Sequence, residues 1–166
     1  MVRDAVVADV DDLARIQLTT WRTAYAGLIP DDVLAGLSEA EHRERWASRL
    51  PVASRAFCLV AGSPVVGFVS GGHLGDGPEI YALYVAPAAW RRGAGRSLLA
   101  AGVARLRDAG ATTAGLWVLR DNARARSFYE AQGWAPTGES RLEEMHGVAL
   151  PVVRYATRLM AGTPDS

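Results

Sequence analysis

Glycines and arginines are concentrated in the stretch WRRGAGRSLL, which spans residues 90–99 and begins a helical pattern. Acidic side chains are favoured in a first helical turn because the helix N-terminus carries a partial positive charge, so these arginines have the wrong sign for the helix alone. The glycines let backbone N–H groups approach a ligand without a Cβ in the way, and the arginines add charged hydrogen bonds. The missing partner is therefore an anion, and a pyrophosphate suits it. The predicted contacts come from Arg91, Arg92, Gly93, Ala94, Gly95, Arg96 and Ser97.

Two known phosphate-binding motifs and one plain alternative can be compared with residues 90–99. A P-loop is effectively excluded, because it requires a Gly-Lys-Ser/Thr step and the chain contains no lysine. A dinucleotide fingerprint matches Gly93 and Gly95 but has Leu98 at its third glycine, although Asp121 has the position of a ribose-binding carboxylate. An ordinary helix start with solvated surface arginines is the plain alternative.

A βαβ unit must position this loop. The apolar runs EIYALYV (79–85) and AGLWVL (114–119) predict strands, and the pattern from 93 to 110 between them predicts a helix. After the second strand, Asp121 or Asn122 is a candidate N-cap for a helix that runs to Gln132. The loop thus follows the end of the first strand after a short turn and leads into the helix.

The remaining elements extend the sheet. Strands are predicted over 2–7, 55–61 and 64–72, with a turn at Gly62-Ser63, and two further strands around 135–142 and 150–159 close it. Helices are predicted over 9–25 and 38–50, the second beginning with a capping box at Ser38 and ended by Pro51.

Length and composition indicate one domain over residues 1–160 and a solvated tail over 161–166. Lys plus Arg and Asp plus Glu are 18 each, so no net field attracts nucleic acid or an anionic membrane. No apolar run is long enough for a membrane span, and the N-terminus lacks a signal-peptide pattern. The single cysteine, Cys58, falls in a predicted core strand and indicates a reducing compartment. We therefore expect a cytoplasmic protein.

Two linked motifs resemble a known family. VAPAAWRRGAGRSLL (85–99) resembles the acetyl-CoA motif of the GNAT superfamily of N-acetyltransferases, Q/R-x-x-G-x-G/A followed by a helix, with Trp90 at the usual Gln/Arg position. DNARARSFYEAQGW (121–134) is similar to the next motif of that superfamily. With EIYALYV they extend over residues 79–134 in the order and spacing of the family, and segments near both termini are more weakly similar.

The resemblance implies an α/β fold with a mixed, mostly antiparallel sheet of six to seven strands and about four helices. It implies that this sheet splays between the fourth and fifth strands. The pantetheine arm of acetyl-CoA, the expected co-substrate, would lie in that gap against main-chain groups of Leu83, Tyr84 and Val85. Such groups would also polarise the thioester carbonyl.

The activity that the resemblance implies is N-acetyl transfer to a primary amine by direct attack in a ternary complex. The acceptor is a small-molecule or peptide amine whose identity the sequence does not select. A homodimer is compatible with the sequence. A non-catalytic acyl-CoA-binding sensor is the alternative. Cys58, in a core strand without a partnered histidine, argues against a covalent thiol route.

Direct attack requires a base for the amine and an acid for the leaving thiolate. Tyr129 matches the motif tyrosine and is the expected acid; packing beside Phe128 is the alternative. Glu79 is the expected base, acting directly or through water, with a solvated strand end as the alternative. Simple alternation would place Glu79, Tyr81 and Leu83 on the same face of their strand.

Further predicted site residues lie outside the glycine motif. Asn122 is expected to cap its helix and to contact the cofactor. Trp21, Tyr25 and Tyr81 are expected to shape the acceptor pocket, with Trp46 as a weaker candidate, although aromatics on amphipathic helices are often core. We expect no metal site, because the histidines at 42, 73 and 146 lack a second ligand at metal spacing.

Overall fold

Seven strands form one mixed sheet in the computed structural model, which describes residues 1–50 and 54–161. The strands are β1 (Val2–Asp4), β2 (Ala56–Ala61), β3 (Gly67–Gly72), β4 (Glu79–Val85), β5 (Thr113–Leu119), β6 (Ala135–Met145) and β7 (Val148–Arg158). Their spatial order is β1-β2-β3-β4-β5-β7-β6. The helix end predicted at Pro51 and the predicted tail beyond residue 161 lie outside the described residues.

Five α-helices accompany the sheet in the described parts of the chain. They are α1 (Val10–Ala24), α2 (Asp31–Ala35), α3 (Glu39–Arg49), α4 (Ala94–Asp108) and α5 (Ala123–Ala131), and short 3₁₀ segments precede α1 and α4. In the parts of the chain at 1–50 and 54–161, no helix is both long enough and apolar enough to cross a membrane.

The sheet opens between its two parallel strands. β4 and β5 are the parallel pair, and Glu79 opposite Gly115 is the registered contact between them. All the other paired strands run antiparallel. The predicted fold is therefore confirmed, including a splay between the fourth and fifth strands.

Helices cover both faces of the sheet. On one face α4 and α5 pack on a core that includes Leu98, Leu116 and Tyr155. On the other face α1 and α3 pack on a core that includes Leu13 and Phe68. Because side chains alternate along a strand, β2 contributes to both cores, and burial on both faces explains its continuous apolar sequence.

Local capping chemistry sets several helix ends where the sequence predicts them. Ser38 Oγ accepts a hydrogen bond from the Glu41 amide at 3.3 Å, and Asn122 Oδ1 accepts one from the Ala125 amide at 3.1 Å. These bonds satisfy N–H groups that have no partner within the first helical turn. Both predicted caps are confirmed.

Several predicted strand boundaries are wrong, and turns explain the differences. β1 ends at Asp4 instead of residue 7, because Asp9 accepts hydrogen bonds from Arg3 and from the Val6 amide and thereby holds a 3₁₀ turn. β6 and β7 extend to a tight hairpin turn at His146-Gly147, where both residues have positive φ. That backbone geometry is typical of a two-residue hairpin.

Candidate active site

A cavity of about 1090 Å³ occupies the gap between β4 and β5 and continues to the start of α4. Its walls come from α1, β4, β5, α5 and the β6–β7 hairpin. The predicted site residues that line it are Trp21, Tyr25, Glu79, Tyr81, Leu83, Tyr84, Val85, Arg91, Gly93, Gly95, Arg96, Asn122 and Tyr129. Arg92, Ala94 and Ser97 are not part of its lining.

The main chain of β4 presents free groups to the gap at alternate residues. The Ala86 amide donates a hydrogen bond to the Val66 carbonyl oxygen at 2.8 Å, and Tyr84 pairs with Phe68 in the same register. Backbone groups of successive strand residues point to opposite sides, so those of Leu83 and Val85 point away from β3 and into the gap. The expectation of free main-chain groups at Tyr84 is thus wrong, because its main chain pairs with β3.

The carbonyl oxygen of Val85 is already occupied. It accepts a hydrogen bond from Trp90 Nε1 at 2.7 Å and another from Thr20 Oγ1 at 3.3 Å. The Trp90 side chain therefore folds back onto the last residue of β4. The Val85 amide stays free to donate a hydrogen bond into the gap. Neither contact was predicted, since Trp90 only appeared in the sequence as a departure from the family motif.

The start of α4 forms a cluster of unpaired N–H groups. Gly93 is the N-cap and has φ +87°, a backbone conformation that favours glycine. The Ser97 amide donates to the Gly93 carbonyl oxygen at 3.0 Å, so the amides of residues 94–96 precede the first helical hydrogen bond. Such a cluster, with the positive end of the helix dipole behind it, is a site for an anion.

The cavity wall at this end is cationic. Arg91, Arg96 and Arg124 line it, and the guanidinium carbon of Arg124 lies 3.3 Å from the centre of the Trp90 ring. Burial and then the neighbouring Arg91 lower the pKa of the Arg124 guanidinium. Arg124 was not identified from the sequence. It lies in the first turn of α5, which has no acidic residue there, and this is the same signal that singled out residues 90–99.

Three tyrosines meet at the other end of the gap. Tyr25, Tyr84 and Tyr129 line the cavity, and burial raises the pKa of each. The Tyr129 ring packs edge-on against Phe128, with ring centres 5.3 Å apart, and is 9% exposed. All three hydroxyls therefore keep their protons at neutral pH. In the described part of the chain, no residue forms a hydrogen bond with the Tyr129 hydroxyl.

A β-bulge at Tyr81 changes the direction of Glu79. Gly71 pairs with Ile80 and Ser70 with Ala82, so Tyr81 is the extra residue of β4. Ile80 consequently packs in the same core as Leu83, and Glu79 points to the opposite face of the sheet. The expectation that Glu79, Tyr81 and Leu83 share a face is therefore wrong, because simple alternation does not continue through a bulge.

The acceptor end of the cavity contains both signs of charge. Burial raises the pKa of Glu79, whereas Arg154 and Arg141 lower it and Glu143 and Asp76 raise it. Further charged side chains at this end of the lining are Arg45, Arg141, Glu143 and Glu144. The sequence patterns did not identify them, since they come from α3 and from the late strand β6.

The predicted aromatic residues of the N-terminal helices separate into two groups. Trp21 and Tyr25 line the cavity, with ring centres 5.4 Å apart. Trp46 is core, because it is 4% exposed and packs edge-on against Phe68; it does not line the cavity. Its Nε1 donates to Gln17 Oε1 at 3.0 Å. Within residues 1–50 and 54–161, no group of three or more His, Cys, Asp or Glu side chains is placed to hold a metal ion.

Comparisons with known proteins agree with this geometry. The model of the acetyltransferase (GNAT) family matches residues 14–134. The uncharacterized N-acetyltransferase YuaI of Bacillus subtilis (strain 168) is 35% identical over 161 residues, covering 92% of this chain and 89% of the relative.

Solved structures share the fold. A GCN5-related N-acetyltransferase from Rhodopseudomonas palustris has a TM-score of 0.78 at 22% identity, with 96% of this chain and 95% of that chain covered. The PaiA N-acetyltransferase from Thermoplasma acidophilum, solved in complex with coenzyme A, has a TM-score of 0.70 at 19% identity, with 95% and 98% covered.

Proposed function

Because the chain belongs to the GNAT family of acetyltransferases, we propose that this acyltransferase moves the acetyl group of acetyl-CoA to a primary amine by direct attack in a ternary complex. The observation that carries the proposal is the continuity of one cavity. It joins the unpaired amides at the start of α4, the free main chain of β4 and the tyrosines at the far end of the gap.

The residues present suit acetyl-CoA. The amides of residues 94–96, with Arg91, Arg96 and Arg124, would hold its pyrophosphate, and Asn122 would contact it beside the helix that it caps. The free amide of Val85 and the main chain of Leu83 would pair with the pantetheine arm. When bound, acetyl-CoA supplies the acetyl thioester.

The far end of the cavity can move the two protons that the transfer requires. Glu79 accepts a proton from the attacking amine, directly or through water. Tyr129 donates its hydroxyl proton to the departing sulfur, since burial raises its pKa and keeps the hydroxyl protonated at neutral pH, ready to hydrogen-bond the developing thiolate. Trp21, Tyr25 and Tyr81 form the wall against which the acceptor is held.

We propose a small-molecule or peptide amine as acceptor, a cytoplasmic location and, as an arrangement to be tested, a homodimer. A small-molecule or peptide amine is supported by the acceptor end of the cavity, which is open to solvent and offers the carboxylates Glu143 and Glu144 alongside Arg45 and Arg141.

The deciding experiment is a thiol-release assay with acetyl-CoA and a panel of primary amines that contains alkylamines, polyamines, amino acids, an aminoglycoside and short peptides. Wild type and Tyr129→Phe are compared. We expect release that depends on an amine in wild type, and a loss of roughly 10²-fold or more in kcat for Tyr129→Phe.

Phe keeps the ring packing of Tyr129, so calorimetric binding of acetyl-CoA and the thermal midpoint of Tyr129→Phe should remain close to wild type. Tight acetyl-CoA binding with no turnover of any amine would contradict the proposal and favour the sensor. An unchanged kcat in Tyr129→Phe would remove the tyrosine from the role of acid while leaving the transfer itself intact.

A further inference from the structure

Arg154 lies across Gly115, at the apex of the gap. A Cβ at position 115 would overlap the guanidinium group of Arg154, so glycine is the residue that leaves room for it. Gly115 is also the registered partner of Glu79 in the parallel pair of strands. Residues paired in a sheet direct their side chains to the same face, so Glu79 and the Arg154 guanidinium occupy the same face of the sheet.

The register of β5 and β7 accounts for this reach. Arg154 pairs with Trp117, which is two residues beyond Gly115 on the same face of β5. The side chain crosses diagonally toward Gly115, with its guanidinium carbon 5.6 Å from the centre of the Trp117 ring. It is 24% exposed, and its Nε lies 3.3 Å from Glu139 Oε2. Arg154 is therefore held from two sides, by Trp117 and by Glu139, with its guanidinium over Gly115.

Other charges around Glu79 come from two elements. β6 contributes Arg141 and Glu143, whose side chains pair at 3.5 Å, and the segment before β4 contributes Asp76. The carboxylates Glu143 and Asp76 raise the pKa of Glu79, as does burial. Two arginines lower the pKa of Glu79 against this increase, and Arg154 has a larger effect than Arg141.

We propose that Arg154 is a positioning residue for Glu79, which it holds as a carboxylate at the apex of the gap through its seat on Gly115. This inference rests on the proposed role of Glu79 as base, because only an ionised Glu79 accepts a proton from an amine. Gly115 and Arg154 thus act together, because the glycine has no Cβ and leaves space for the guanidinium.

The titration of Glu79 tests the inference without any acceptor. The carboxyl carbons of the Glu side chains are followed by ¹³C NMR from pH 3 to 8, and the Glu79 signal is the one absent from Glu79→Gln. We expect Arg154→Gln to move its midpoint up by about one pH unit, the order of shift that a nearby opposite charge produces. Arg154→Lys should restore most of it.

Two further variants sharpen the result. Gly115→Ala displaces the guanidinium of Arg154 while leaving its charge in the molecule, so the Glu79 midpoint should also rise in this variant. In the double variant Gly115→Ala/Arg154→Gln, the midpoint should be the same as in Arg154→Gln alone. Arg158→Gln removes the same charge from the end of the same strand, where the side chain lines a separate cavity beside α4, and should leave the midpoint unchanged.

Activity separates this inference from the proposed function. The pH profile of kcat/KM is measured with the amine that the panel shows to be the best acceptor. Its acidic limb should disappear in Glu79→Gln and move up by about one pH unit in Arg154→Gln. Ionisation of the amine affects all variants equally and therefore does not produce these differences. An unmoved Glu79 midpoint in Arg154→Gln or in Gly115→Ala overturns the inference. A normal limb in Glu79→Gln, with the midpoint shift present, overturns the role of Glu79 as base instead.

Discussion

The indole nitrogen of Trp90 donates a hydrogen bond to the main-chain oxygen of Val85 across 2.7 Å. The same ring lies under the guanidinium of Arg124, 3.3 Å from the ring centre. One side chain thus joins the end of β4 to the first turn of α5, on the two sides of the gap. The residue at which the chain departs from its family motif is therefore part of the cavity wall near the start of α4.

Replacing Trp90 should weaken cofactor binding in two steps. Trp90→Phe keeps a ring under Arg124 and loses the hydrogen bond, so we expect the Kd for coenzyme A to rise about fivefold, equivalent to about 1 kcal/mol. Trp90→Leu also removes the cation–π contact, which is worth about 0.5 to 2 kcal/mol, and should bind more weakly still. Calorimetry measures both, and wild-type affinity in Trp90→Leu would show that the arrangement does not serve the cofactor.

Gly93 should be required for its backbone conformation. No atom lies within 4 Å of a Cβ built at this position, so Gly93→Val fits sterically but places a β-branched residue at φ +87°. We expect the helix start to shift and coenzyme A binding to fall below detection by calorimetry. Gly110→Val is the matched control, because it creates the same strain at φ +93° at the other end of α4. It should lower the thermal midpoint comparably and retain binding; equal loss in both would indicate a general effect of destabilisation.

The two neighbouring arginines should differ. Arg91 lines the cavity and Arg92 does not, although the sequence predicts contacts from both. Arg91→Ala and Arg124→Ala should each weaken coenzyme A binding by about 1.5 to 3 kcal/mol for every charged hydrogen bond lost, with a smaller effect for Arg92→Ala. Binding curves at increasing salt concentration complete the comparison, and an equal loss for Arg92→Ala would place that residue in the site as the sequence predicts.

Cys58 should be chemically silent. It is 3% exposed, and burial, then Asp9 and Asp4, raises the pKa of its thiol to about 12, so almost no thiolate exists at neutral pH. In the native protein we expect no reaction with a disulfide reagent below pH 9, full reaction after unfolding, and unchanged kcat in Cys58→Ala. A burst of thiol release from acetyl-CoA in the absence of amine, lost in Cys58→Ala, would instead establish a covalent route.

The sequence alone predicts what depends on near neighbours in the chain. The helix caps at Ser38 and Asn122, the helix start at Gly93 and the strand before it were all recognisable. Each depends on hydrogen bonds and steric limits that act within about four residues. The position of the loop between the first strand and the helix of a βαβ unit followed from the same local patterns, and with it the prediction of an anion site.

Tertiary pairing decided which side chains meet. The direction of Glu79 depends on a bulge that arises only when β4 pairs with β3, and Tyr84 loses its free main chain to the same pairing. The contact of Arg154 with Gly115 requires the register of β5 against β7. A shift of one residue in any strand reverses the face of every side chain on it, so no local pattern specifies these contacts. The glycine helix start with its unpaired amides could thus be inferred from the sequence, whereas the surroundings of the proposed base required the folded sheet.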